Sequence, residues 1–336
     1  MVHMALHALD DVDDAIDATR SLLLPIDIKQ WLKLAFVAFF IGGPAGNSIS
    51  YTVNGSGGNG GVPVLPSFPG FPTDIPRLYG LVIALIGILL VIAFLFVLVG
   101  SIMEFVFVQS IRTREIRIRK TWGERWRLGV RLFGFRLLLG LLLAALVVGL
   151  AVFVLSPIVR GPTGTGLSIA LIVLLIPVAF IVGLFAALVN AFTTLFVVPI
   201  MLLEDAGVLA AWRSLWSSIR AEPTQYAAFA LVGFILYIAA GIIVGIVVVI
   251  PAFVLLLPVA PIALAGLSLL PGLPIVGVLL LLVAAAIYLT ALLAVVAVVQ
   301  VPVLSIIRYY AMLVLGDIEP DLDPIPDIRN SIRSTA

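Results

Sequence analysis

The chain has 336 residues, 62% of them hydrophobic and only 11% charged, with a formal charge of +1 and a mean hydropathy of +1.27. A soluble domain carries about 25% charged residues, so this chain has too few polar groups to cover a water-facing surface, and its near-neutral charge offers nothing to nucleic acid. With no cysteine, disulfides, thiol nucleophiles and zinc–thiolate clusters are excluded, and the two histidines, His3 and His7, both lie near the amino terminus.

The bilayer is the solvent that fits, and six membrane helices are expected. A segment from Ala5 to Leu23 comes first, with Leu6, Leu9, Val12, Ile16, Leu22 and Leu23 on an apolar side and Asp10, Asp11, Asp13, Asp14 and Asp17 largely elsewhere. Being acidic, it is no cleavable signal peptide. The spans then run from Gln30 to Gly43 (with some extension to Asn47), Arg77 to Ser110, Gly134 to Val159, Gly166 to Leu203, Gln225 to Ile250, and Ile275 to Gln300 or beyond. The second and fourth are too long for a bilayer of ~30 Å and must tilt, kink or continue past it, with Pro177 and Pro199 as kink candidates.

Of the 19 lysines and arginines, all but Arg77 and Arg160 fall on one side of this arrangement. The asymmetry places both termini in the cytoplasm, with Arg77 and Arg160 as outer-surface anchors. The outer segment from Gly42 to Pro76 is rich in glycine and proline, reads as solvated loop, and holds Asn54-Gly55-Ser56, a glycosylation acceptor pattern. The segment Pro251 to Pro274 is apolar but carries five prolines. It is expected to form short pieces in the outer interface, with a re-entrant hairpin as the alternative.

Between the second and third spans, Arg112 to Arg127 is expected to form a further surface helix, strongly basic and suited to anionic lipid headgroups. Between the fourth and fifth, Asp205 as N-cap and Pro223 as stop bracket an amphipathic helix with Val208, Ala211, Trp212, Leu215, Trp216 and Ile219 on its apolar stripe. Trp212, Trp216, Arg213 and Arg220 are its expected interfacial anchors. The pair Glu204-Asp205 has no histidine or nucleophile near it in sequence, which favours a turnaround over an active site. The inner ends Glu104-Phe-Val-Phe-Val-Gln109, Thr194-Leu-Phe-Val-Val-Pro199 and Ala297-Val-Val-Gln-Val-Pro302 align without gaps, which suggests a threefold helical-hairpin repeat with units 1–110, 111–203 and 204–315.

The stretches Leu6 to Arg20, Trp31-Leu-Lys-Leu-Ala35, Val99-Gly-Ser-Ile-Met-Glu-Phe105, Arg131-Leu-Phe-Gly-Phe-Arg136 and Arg308-Tyr-Tyr310 resemble an uncharacterised family of haloarchaeal multi-pass membrane proteins. Glu204-Asp-x-Gly-Val-x-x-Ala-Trp-Arg-Ser214 looks more distantly like the membrane domain found with glycerophosphodiester phosphodiesterases, without any phosphodiesterase domain here. The resemblance implies a membrane domain and supplies no catalytic residues. An excess of arginine (16) over lysine (3) and acidic soluble ends agree with it.

Ionisable and polar groups at membrane depth are the candidate functional residues. Glu104 is the clear one, placed to reach headgroups or to pair with Arg308. Asn190, Thr193, Thr194 and Gln300 can hydrogen-bond between helices. Tyr237 and Tyr288 suit either core or interface. No catalytic, cofactor or metal set is recognisable: the glycines of Phe39 to Gly46 and Gly164 to Gly166 follow no strand and lack a phosphate-binding lysine. The expectation is an all-α integral membrane domain over residues 1–316 with an acidic cytoplasmic tail over 317–336. Its expected role is structural or accessory, organising membrane lipids, a protein partner or a homo-oligomer. The alternative is a permease with a polar path near Glu104, Asn190 and Gln300.

Overall fold

The protein is described by a computed structural model covering residues 7–42, 75–159 and 165–334; the glycosylation pattern at Asn54 and Arg160 lie outside these. Every regular element among them is helical. α1 (His7–Leu23) and α2 (Ile28–Gly42) are followed by the long α3 (Ile75–Thr113) and α4 (Ile118–Val159). Then α5 (Thr165–Phe192) passes through a π-turn (Thr193–Val197) into α6 (Val198–Glu204). α7 (Val208–Ala221), α8 (Pro223–Leu269) and α9 (Pro274–Ile318) lead through a short 3₁₀ turn (Pro320–Leu322) to α10 (Pro326–Arg333).

Among the described residues, five helical runs are long and apolar enough to cross a membrane: 83–113, 118–150, 175–204, 223–269 and 274–318. The sixth expected span corresponds to α2, whose 15 residues reach about 22 Å, short of the ~30 Å of a hydrocarbon core. Away from their charged ends the five runs are apolar on all sides, because lipid is as good a neighbour for leucine as another helix is. Residues 83–95 of α3 are exposed throughout, as are most apolar side chains of α8 from Leu231 to Leu257.

The core sits at one end, where the charges are. The carboxy-terminal part of α9 runs through its middle: all eight residues from Arg308 to Leu315 are buried, so every face of that helix is covered. Its neighbours there are α1, α2, the end of α3, the π-turn, and the 3₁₀ turn that follows it. Two helix reversals at this end use left-handed residues, Arg114 after α3 (φ 54°) and Asp205 after α6 (φ 49°). Asp205 therefore ends α6 instead of capping α7, whose N-cap is Gly207, and its carboxylate turns to Arg125 of α4 at 3.0 Å.

Several other expectations change. Residues 118–127 form no separate surface helix; they are the first turns of α4. The segment from Pro251 does not break into short pieces, because α8 continues as one helix to Leu269 and turns directly into α9. Its interior prolines, Pro251, Pro258 and Pro261, are seven and three residues apart and so share one side of the helix. The missing hydrogen bonds then lie along one flank, while breaking the helix would strand several backbone groups in an apolar setting. At the tip the α8 and α9 backbones touch: a Cβ on Gly277 would lie 2.7 Å from the Gly266 carbonyl oxygen. In α1 the buried face is Asp11, Ala15, Ala18, Thr19 and Leu23, while Val12 and Ile16 are only half-buried. Small residues on that face let α1 lie close against α9.

Candidate functional site

Glu104 lies on α3 in the charged end and is almost fully buried. A carboxylate in such a place needs compensation for lost water, and here two guanidinium groups supply it. Arg136 of α4 donates to Oε1 at 3.1 Å, and Arg308 of α9 donates to Oε2. The expected pairing with Arg308 is present. Arg136 is the partner that the sequence reading missed, since it was counted with the surface cations. The available signal was its position, the last cation of its run and immediately followed by Leu137-Leu138-Leu139.

The third side of the cluster comes from the π-turn, and Pro199 accounts for it. In an α-helical register the proline ring would collide with the carbonyl of Leu195, and the wider turn over Thr193–Val197 relieves that. In the wider register Val198 N–H bonds to the Thr193 carbonyl. The next carbonyl, that of Thr194, would require an N–H at position 199, where proline has none. Arg308 fills the gap by donating from Nη1 to the Thr194 carbonyl oxygen. The Thr194 hydroxyl accepts from Arg136 Nη2 at 3.0 Å, and Trp212 of α7 donates its indole N–H to Thr193 Oγ1 at 3.2 Å. One proline thus sets up contacts among α3, α4, α6 and α9.

Two cations face one anion, so the cluster carries an excess positive charge, and Arg136 Nε is buried with no partner among the described residues. The rest of the Arg308-Tyr309-Tyr310 stretch also works inward. Tyr309 donates to the Ile111 carbonyl at 3.2 Å, and the Tyr310 ring stacks on Phe229 of α8 at 5.1 Å. The remaining candidates do not join the cluster. Gln300 lies eight residues earlier on α9 and gives the Gly42 carbonyl a long contact of 3.4 Å; Asn190 is half-buried a turn before Thr194. Tyr237 is exposed, and Tyr288 makes a 3.4 Å contact to the Ala252 carbonyl. A shallow apolar pocket of about 400 Å³ lies on α8, lined by Phe253, Leu257, Pro261 and Leu264, with none of these polar groups in it.

The expected anchors of α7 divide between two faces. Val208, Ala211 and Leu215 are covered by protein and Trp212 is half-buried, while Leu209, Arg213, Trp216 and Arg220 share the outward face, with Arg220 over the Trp216 ring at 5.4 Å. α4 presents a similar outward set, Arg127 beside Trp126 at 5.9 Å, then Val130 and Arg131. Among the described residues no group of three histidine, cysteine or acidic side chains could hold a metal ion.

The arrangement is that of an all-helical protein with membrane-length apolar helices, fastened at one end by buried ion pairs. The chain belongs to a family of unknown function, DUF7544, whose family model matches residues 6–325. No curated protein and no solved structure matches it.

Proposed function

We propose that this chain is a polytopic protein of the cytoplasmic membrane with both ends in the cytoplasm, serving a structural or accessory role that organises anionic lipids or a partner protein at the inner surface. The observation that carries this reading is the segregation of side chains. Lipid-like exposed surface covers the far parts of five helices, while all the described ion pairs and the outward tryptophan–arginine faces of α4 and α7 gather at one end. Tryptophan beside arginine suits the headgroup layer, and each surface cation contributes about 1 kcal/mol toward an anionic leaflet.

Six crossings suit the same reading. α1 and α10 touch, so both ends of the chain lie on one side and the number of crossings is even. Five helices have the length, and on this reading α2 belongs to the sixth crossing. The three hairpins this creates suit a threefold repeat. A transport path has weaker support, because Glu104 is held in salt bridges and Gln300 turns to the Gly42 carbonyl instead.

Lipid retention tests this reading. Protein extracted gently from a mixed membrane should retain anionic over zwitterionic phospholipid, and the quadruple variant R127Q/R131Q/R213Q/R220Q should lower that ratio several-fold. An unchanged ratio would remove the lipid half of the proposal.

A further inference from the structure

The second charged cluster lies where the two ends of the chain meet. Arg333 of α10 reaches three carboxylates at once: Asp11 and Asp14 of α1, each at 2.9 Å, and Asp317 near the end of α9 at 2.6 Å. Arg329, one turn earlier on α10, pairs with Asp317 at 2.8 Å and with Asp323 at 2.6 Å. Four carboxylates therefore face two guanidiniums. Asp11 is wholly buried, one of its oxygens has no hydrogen-bond partner among the described residues, and its carboxylate meets the same nitrogen, Arg333 Nη2, as that of Asp317, at 2.9 and 2.6 Å.

Two carboxylates in that relation cannot both be ionised without strong repulsion, and a single proton between them turns the repulsion into a hydrogen bond. We infer that a proton shared by Asp11 and Asp317 latches α1 and α10 onto α9, and that the latch loosens as the cytoplasmic-side pH rises from acid to neutral. The surroundings contain little to oppose this. α1 adds only Asp14 next to Asp11, α9 adds Tyr310, whose buried hydroxyl also lacks a partner, and α10 adds Arg333. α8, packed on α1 as well, has no acid or base besides Tyr226 and Tyr237. Burial first, and the Asp317 charge second, push the Asp11 carboxyl up from 3.8 to about 7, against the pull of Arg333.

The direction follows from linkage. A carboxyl whose pKa is raised in the latched state binds its proton more tightly there. Its contribution is complete below about 4, falls as pH rises, and is spent once pH passes about 7. The latch is thus shut in mild acid and poised near neutrality. Deprotonation leaves Arg333 outnumbered, and α10 is short and held to the body chiefly by these pairs and by Ile328.

The natively cysteine-free chain allows a direct test. In the full-length protein in lipid nanodiscs, Ile328→Cys reports release of α10, and Ser217→Cys, exposed on α7, serves as reference for the intrinsic pH dependence of thiol labelling. The labelling rate at position 328 relative to 217 should rise tenfold or more between pH 5 and pH 8. With Asp11→Asn added, which mimics the protonated acid, the ratio should stay low across that range. Amide hydrogen exchange over residues 326–333 in the unsubstituted protein, corrected for intrinsic rates, should show the same rise and covers the case that Ile328→Cys disturbs packing. A flat ratio in the parent, a rise that survives Asp11→Asn, or release at all pH values in Asp11→Asn would each overturn the proposal.

Discussion

Glu104 shows what one side chain is asked to do. Its burial is tolerated because both oxygens are occupied, and the two arginines are tolerated because each also donates to Thr194, Arg136 to the hydroxyl and Arg308 to the carbonyl. Removing the carboxylate charge leaves two guanidiniums facing each other out of water, and breaking such a buried pair typically costs about 3–5 kcal/mol. Glu104→Gln should lower the thermal unfolding midpoint in detergent markedly, whereas Glu115→Gln, which loses only an exposed pair with Arg117, should leave it within error. At this scale the sequence was partly legible. A carboxylate at the end of an apolar run and an arginine at the end of another invite pairing. Arg136 was hidden among eight other cations, and Asp11 among four other aspartates of α1. Burial of one acid out of five depends on which face meets α9, and the small residues Ala15 and Ala18 decide that more than the leucines do.

At the level of helices, glycines in α4 separate packing from propensity. Gly129 lies against α3, where an added Cβ would come 2.5 Å from Ile102 Cγ1 and 2.8 Å from its Cα, a backbone atom that cannot step aside. Gly123, six residues earlier, has nothing within 4 Å. Gly129→Ala should therefore destabilise by about 1–3 kcal/mol through overpacking. Gly123→Ala should stabilise by up to about 1 kcal/mol through helix propensity. Thermal or denaturant unfolding of the two variants reads the opposite signs, and equal signs would mean that α3 and α4 are not in contact there. Helix ends were readable from hydropathy to within a few residues in most cases. The failures came from the basic stretch that opens α4 at Ile118 instead of Gly134, and from prolines: three in α8 that leave the helix intact, and Pro199, which was a kink candidate and instead widens the helix and frees a carbonyl.

For the whole molecule the main consequence is uneven cohesion. Helices hold each other firmly at the charged end and present apolar flanks elsewhere, so the surrounding lipid completes the far half of the structure. The even number of crossings argued from the contact of α1 with α10 is testable in intact cells. A cysteine at Ser56, between α2 and α3, should react with a membrane-impermeant reagent added outside, and one at Ser217 should react only after permeabilisation. Reaction at both positions, or the reverse pattern, would break the topology. Composition alone announced the membrane class. The way the ends close on each other was not readable, because pairs such as Asp11 with Arg333 are separated by 322 residues and no local pattern records them.

The partner of Glu104 is synthesised late. Arg308 follows it by 204 residues, so α3, α4 and α6 emerge from the ribosome well before the helix that threads between them. During that interval Arg136 is the carboxylate's counter-ion within its own hairpin, and the opening that α9 later fills must stay unclosed. Assembly of this end therefore waits on synthesis of α9, and a nascent chain halted before it should be the species that quality-control proteases recognise.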